Sequence, residues 1–405
     1  MKKLVVKKDF VIKTSLAILL TGFVMFYFAD GVGKILRRSG SDFYRYSAFV
    51  KGIFEIIILI FSAITINKSK LNIFYSILIL TGLFLIGQFF LSLNFKDLNF
   101  FENFNTLFKY FFLFIFALLA IDIIQMKRFP VWAWKIYKNI IILNAGLILV
   151  GFILDVDFLR TYEGPWRFGF DGLIVAQNEA TFIFIFAVTI AYYRRFYQGI
   201  NEYFFWIVLV ASLFVATKAI YLFIILLFFY HLFIKVSLKN ILIFGLSFGL
   251  IGYLLFATLI NAILLNSYEV FMYVYRTEGL TYALFSGRNV FIEAKLLPLI
   301  SEQWTIFNFF VGGQDVVAHY IEMGFIDLFL FFGFFGFILY LFVFYQIFKL
   351  LPFKGNFQIF FALTLGLIIA TAGHFFESGI AGIHFIMMII ILRNYSLSKT
   401  TESES

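Results

Sequence analysis

The residues in this sequence most able to do chemistry are cations placed where a lipid bilayer would penalise them. Lys218 interrupts an apolar stretch running from Tyr203 to Ile234. A charge at membrane depth costs about 2.5–3.5 kcal/mol on insertion and needs a reason. A cation at the break between two short helices is one way to hold an anion; the alternative is a stem that snorkels from a tight turn. A second set is made of arginines: Arg37, Arg38 and Arg45 in RRSGSDFYRYS, Arg160 and Arg167 in RTYEGPWRFGFDG, and Arg288 in FSGRNVFIEAKLLPLI. Guanidinium groups grip phosphate oxygens bidentately without a metal, so several facing one cavity would suit a diphosphate. Glu322 and His319 are three residues apart, which predicts a shared helix face. A carboxylate beside an imidazole there could take a proton from a hydroxyl, because burial raises a carboxylate toward useful pKa values. The alternative is an acid that merely favours a helix N-terminus. His374 and Glu377, again three apart in TAGHFFESG, read as capping or loop residues, and Asp122 as the partner of a nearby Lys or Arg.

The chain has no Cys, which removes disulfides, thiolate chemistry and Cys-ligated metals. Its four His (His231, His319, His374 and His384) are scattered and argue against a His-ligated metal centre. No metal and no cofactor are therefore expected.

The elements that must carry these residues follow from composition. Hydrophobic residues make up 62% of the sequence and charged residues 14%, with 63 Phe. Soluble domains sit near ~25% charged, and a soluble fold of this size could not hide so much apolar surface. A transmembrane β-barrel is excluded because its strands alternate apolar with polar residues. The expected fold is all-α, a polytopic integral membrane protein forming one membrane domain over 1–405. About 20 apolar residues cross ~30 Å of hydrocarbon. Such runs fall at 71–95, 241–260 and 328–348, with weaker ones near 14–29, 52–66, 110–125, 136–154, 174–193, 358–373 and 378–392. The stretch 203–234 reads as two short spans meeting at Thr217–Lys218, for about 12 transmembrane helices.

With a cytoplasmic N-terminus, the inner segments collect 19 of the 32 basic residues and only five of the 23 acidic ones. That asymmetry obeys the positive-inside rule and puts both termini in the cytoplasm. The net charge of +9 is then a matter of topology and not a nucleic-acid footprint. The start, MKKLVVKKDFVIK, imitates a signal peptide, but no small-residue cleavage site follows, so it reads as an uncleaved first helix. One long segment, 261–322, is expected as a large outer loop folded into amphipathic helices. A long loop with structure of its own is more often functional than decorative.

In this setting four short segments resemble the O-antigen polymerase and O-antigen ligase superfamily, the Wzy-type polysaccharide polymerases and their ligase relatives. RFGFDGLIVAQNEAT looks like the family's Arg and Gly followed by an Asn that opens a helix, here Arg167, Gly169 or Gly172, and Asn178. VATKAIYLF is similar to its Thr-x-Ser-Arg-Gly element, with Lys218 at the Arg position. SGRNVFIEA places Arg288 at the loop's Gly-Arg element, and EMGFIDLFLFFGFFG resembles the closing helix, with Glu322, Asp327, Gly333 and Gly336. Glu322 stands where ligases of the family carry a His, and His319 comes one turn early, which favours polymerase over ligase.

The resemblance implies a metal-independent glycosyltransferase at the outer face of the bacterial cytoplasmic membrane. It would join polyprenyl-diphosphate-linked oligosaccharide units into O-antigen or capsular polysaccharide, alongside a flippase and a chain-length regulator. Lys218 and Arg288, with Arg167 and Asn178, would hold the diphosphate, and Glu322 or His319 would act as base. A ligase of the same superfamily, or a flippase for lipid-linked oligosaccharides, is the alternative.

Overall fold

The computed structural model describes residues 8–126, 129–162, 168–235, 266–353 and 355–402. Those residues are overwhelmingly helical; among them there is no strand, and the one isolated bridge pairs Arg160 with Phe170. Six helices are long and apolar enough to cross a membrane: α1 (Lys8–Arg38), α2 (Tyr46–Ile64), α3 (Lys68–Ser92), α4 (Phe100–Ile123), α5 (Val131–Leu154) and α14 (Gly324–Phe348). The bundle also contains α6 (Gln177–Phe196), α7 (Phe204–Val215), α8 (Lys218–Lys235), α15 (Asn356–Thr371) and α16 (Gly379–Glu402). The expected span at 241–260 lies outside the described residues.

Between α8 and α14 the chain folds into short pieces: α9 (Asn266–Glu278), α10 (Leu280–Phe285), α11 (Arg288–Phe291), two π-helical turns through Gln303, α12 (Asn308–Val311) and α13 (Val316–His319).

The centre of the bundle is set by helices that are apolar all round. In α4 every residue from Tyr110 to Ala120 is buried, and in α6 every residue from Ala180 to Arg194. A helix with no polar face has to be enclosed by others. α16 packs against both and against α1. The outer helices α2, α3 and α14 instead leave Ile53, Ile56, Ile60, Leu78, Ile79, Leu85, Phe334, Ile338 and Phe342 exposed. Apolar faces of that extent on an all-helical bundle fit a hydrocarbon solvent.

One charged pair lies deep inside the bundle. Asp122 accepts from Lys70 Nζ at 2.6 Å and from Ser15 Oγ at 2.7 Å, and Lys70 is fully buried. This is the neighbouring basic partner that the sequence leads one to expect for Asp122. α7 and α8 are separated at Ala216–Thr217, where Ala216 takes a left-handed backbone and Thr217 Oγ1 lies 2.6 Å from Thr181 Oγ1. Lys218 therefore opens α8 at a genuine break.

Candidate functional site

α1 is much longer than the run 14–29 that marks it in the sequence. Its last turns carry Lys34, Arg37 and Arg38 beyond the apolar core to one end of the bundle. The spacing puts all three near one helix face. The loop between α5 and α6 folds back over this end and is held by Asn144 on α5. Asn144 Nδ2 donates to the Asp171 carbonyl (3.1 Å), while its Oδ1 accepts from Leu173 N–H and Tyr27 O–H (each 3.0 Å). Gly172 is obligatory here: its φ is +70°, and a Cβ would fall 2.3 Å from Asn144 Oδ1. The buried Asp171 carboxylate pairs with Lys34 Nζ, which also donates to the Gly172 carbonyl (2.8 Å). Burial pushes the Asp171 carboxyl up to about 7 even against that cation.

This folding creates a cavity of about 380 Å³ lined by Lys34, Arg37, Arg38, Arg160, Asn178, Glu322 and His374 among others. The Lys34 and Arg160 charges are answered by carboxylates, those of Asp171 and of Asp155 and Asp157. Arg38 Nη2 instead donates to a neutral group, the Arg160 carbonyl, at 3.3 Å. Arg37 and Arg38 share the lining with Asn178 in the first turn of α6 and Glu322 before α14. A larger cavity of about 610 Å³ adjoins it, sharing Arg37, Val175, Ala176 and His374. Its wall is apolar along Phe49, Ile53, Ile56 and Phe112 and charged toward Lys51, Lys109, Glu179 and Glu377.

The residues expected from the sequence are distributed unevenly around these cavities. Asn178 and Glu322 line the smaller one. Arg288 is buried behind Glu322, with Nη2 donating to Glu322 Oε2 at 3.3 Å and Nη1 to the Phe285 carbonyl at 3.4 Å. Lys218 lines a separate cavity of about 230 Å³, donating to the Ala283 carbonyl and to Ser286 Oγ. Arg167 lies outside the described residues.

The shared helix face of Glu322 and His319 does not exist. α13 is a single turn ending at His319, and Glu322 follows in non-helical backbone with φ +64°. His319 is buried against the edge of Phe95, lines none of the three cavities, and has its pKa lowered chiefly by burial.

The reason for the interruption is Asp327. From the first turn of α14 its carboxylate accepts from Ile321 N–H (2.9 Å), Met323 N–H (2.8 Å) and Gln314 Nε2 (3.2 Å). The two backbone donors flank Glu322, so the clamp forces Glu322 into its left-handed turn and out toward the cavity. Asp327→Asn, which keeps one carbonyl acceptor for those two N–H groups, is expected to cost about 1–2 kcal/mol. A thermal melt in detergent checks it, and an unchanged midpoint would contradict the clamp.

Positive φ at residues other than glycine is costly and gathers at functional sites. Of the five such residues described, Glu322 and His374 line the 380 Å³ cavity, while Ala216 and Ser286 line the one holding Lys218. Glu322 and His374 also meet through Gly373, where a Cβ would fall 2.7 Å from the Glu322 carbonyl group.

His374 and Glu377 do lie in a turn between helices, yet they are more than loop residues. Tyr320 O–H stands 3.0 Å from His374 Nδ1 and 3.2 Å from Glu377 Oε1, which also accepts from Tyr110 O–H at 2.9 Å. Sequence reasoning passed over Lys34 and Tyr320 altogether. The Lys34, Arg37 and Arg38 spacing was a usable sign of a cationic helix face; nothing local marks Tyr320. No family model, no curated protein and no solved structure matches the chain.

Proposed function

We propose that this chain is a membrane glycosyltransferase that polymerises polyprenyl-diphosphate-linked oligosaccharide units into surface polysaccharide. The observation that carries the proposal is the 380 Å³ cavity whose lining brings together Arg37 and Arg38, Asn178 and Glu322 from three segments distant in sequence. Guanidinium groups stabilise the charge that develops on a leaving diphosphate. The adjoining cavity, apolar on one wall and continuous with the first, suits the beginning of a polyprenyl chain. Arg288 backs Glu322, and Lys218 stands in the separate 230 Å³ cavity beside Ser286, where it would meet a second anionic group of donor or acceptor.

On this proposal the chain crosses the bacterial cytoplasmic membrane about twelve times with both termini inside. Segment 261–322 then belongs to the outer face, where a flippase would deliver the substrate and a chain-length regulator would act. The sugar–phosphate bond breaks, its electron pair leaves with the diphosphate, and a hydroxyl of a second unit forms the new glycosidic bond. Of the two bases suggested by the sequence, Glu322 is the one with access to the cavity.

The test is direct. Purified chain in detergent is incubated with lipid-linked oligosaccharide extracted from source cells lacking it. A product ladder spaced by one repeat unit is expected. A single addition to a different acceptor would make it a ligase, and no product from a folded chain would overturn the transferase.

A further inference from the structure

Glu377 is a carboxylate in the turn between α15 and α16, set in the wall of the 610 Å³ cavity and tied to two phenols. Tyr110 O–H has one proton, and it goes to Glu377 Oε1 (2.9 Å). Tyr320 O–H also has one proton, with two neighbours to choose from: Glu377 Oε1 (3.2 Å) and His374 Nδ1 (3.0 Å). The choice couples the two ends of the chain. When Glu377 is ionised, Tyr320 donates to it and accepts from His374 Nδ1–H. The imidazole then keeps its lone pair on Nε2, in a residue that lines both cavities. When Glu377 is protonated, it donates to Tyr320, Tyr320 donates to Nδ1, and Nε2 carries the proton.

Glu322 is otherwise engaged, its carboxylate paired with Arg288. His374 is held in a left-handed backbone (φ +75°) that only a well-determined surrounding maintains.

We propose that His374, Tyr320 and Glu377 form the proton relay of the transfer reaction, with His374 as its base and Glu322 as the residue that positions Arg288. The proposal rests on the transferase function above. The acceptor hydroxyl gives its proton to His374 Nε2 as its oxygen bonds to the sugar. The Nδ1 proton moves to the Tyr320 oxygen, and the Tyr320 proton moves to Glu377 Oε1. One proton thus crosses from acceptor to carboxyl, and no imidazolium is left beside Arg288.

The electrostatics agree with this direction. The groups bearing on His374 are Glu322, Arg288 and Lys109, and burial with the two cations keeps its pKa below the usual imidazole value. Glu377 faces Asp327, Lys109, Tyr110 and Tyr320, and burial foremost, then Asp327, pushes it up to about 7. The Tyr320 phenol stays well above its ordinary value, so it passes a proton by exchange without ever holding a negative charge.

The experiment measures kcat and KM on the extracted lipid-linked donor from about pH 5.5 to 9, for wild type, Tyr320→Phe, Glu377→Gln and Glu322→Gln. For wild type, kcat/KM is expected to fall about tenfold per pH unit below a midpoint near 7, where Glu377 takes up a proton. Tyr320→Phe and Glu377→Gln, both close to isosteric, are expected to lose that rising limb and about a hundredfold in kcat, with KM for the donor unchanged. Infrared difference spectra supply a readout without turnover: a Glu377 carboxyl band that titrates near 7 should shift in Tyr320→Phe. Wild-type rate and limb in Tyr320→Phe or Glu377→Gln would overturn the relay alone. So would loss of the limb in Glu322→Gln while Glu377→Gln keeps it, since Glu322 would then be the base. A folded wild type that never turns the donor over would remove the transferase function and the relay with it.

Discussion

Replacing Arg37 and Arg38 together by Ala is expected to lower turnover of lipid-linked donor by about 10³-fold or more while leaving the protein folded. The magnitude follows from where the two guanidinium groups stand. Lys34 and Arg160 already have Asp171, Asp155 and Asp157 as partners, so their charge is largely spent within the protein. Arg38 donates to the Arg160 carbonyl and lines the smaller cavity, and Arg37 lines both adjoining cavities. Removing a single preorganised donor from a developing oxyanion costs about 10²–10³ in rate, and here two are removed from one wall. Folding should survive because Arg37 is exposed and Arg38 half-buried at the end of α1, where cations contribute only about 0.3–1 kcal/mol through the helix dipole.

Arg276→Ala, at an exposed position in α9 lining none of the three cavities, is the matched control and should retain wild-type turnover. Equal losses in both variants would mean that net charge, not the cavity, matters. Arg37→Lys with Arg38→Lys should recover part of the rate, because charge returns without the planar fork that grips two phosphate oxygens.

The arginines at this site were visible in the sequence as cations that lacked a reason to be where they are. Their convergence was not visible. Arg37 and Arg38 reach the cavity because α1 continues helically past its apolar run, and it does so because Lys34 is neutralised by Asp171, 137 residues away. No local pattern announces a partner at that distance. The apolar runs, by contrast, were legible, since a span of about 20 uncharged residues needs no distant information to become a helix. The break before Lys218 was equally local, a charge inside an apolar stretch.

Spacing failed at His319 and Glu322 for a physical reason. Three-residue separation means a common face only if the backbone between is helical, and Asp327 takes the N–H groups of Ile321 and Met323 for itself. A side chain that competes for backbone donors defeats helical periodicity. The same competition created the half-buried, left-handed Glu322 that lines the cavity. Tyr320 was hidden for the opposite reason: a buried phenol in an aromatic-rich chain looks like packing until its oxygen is seen between an imidazole and a carboxylate.

Gly333→Ala is expected to be the most destabilising single change in the bundle, by about 4 kcal/mol. Gly333 interrupts α14 with φ +65°, a conformation that costs a residue with a Cβ about 1–2 kcal/mol. The added atom would also lie 2.2 Å from Gly312 N and 2.5 Å from the Phe310 carbonyl carbon. Overpacking by one methyl usually costs about 1–3 kcal/mol, the low end applying when a flexible side chain can yield. Here the obstacle is backbone, and that backbone is itself confined. A Cβ on Gly312 would meet the Phe331 carbonyl oxygen at 2.4 Å, and one on Gly87 of α3 would meet Gly312 at 2.8 Å. Gly313 N–H donates to the Leu330 carbonyl (3.0 Å), so segment 308–313 is fastened to the kinked part of α14 and cannot retreat. The kink thus sets where the first half of α14 begins, and with it Asp327 and Glu322. Gly82→Ala provides the contrast: Gly82 lies in α3 with nothing within 4 Å of a new Cβ, so it should be neutral or stabilising by up to about 1 kcal/mol from helix propensity. Thermal melts of the two variants in the same detergent decide the matter. A Gly333→Ala midpoint no lower than that of Gly82→Ala would show that the three segments are not held in backbone contact.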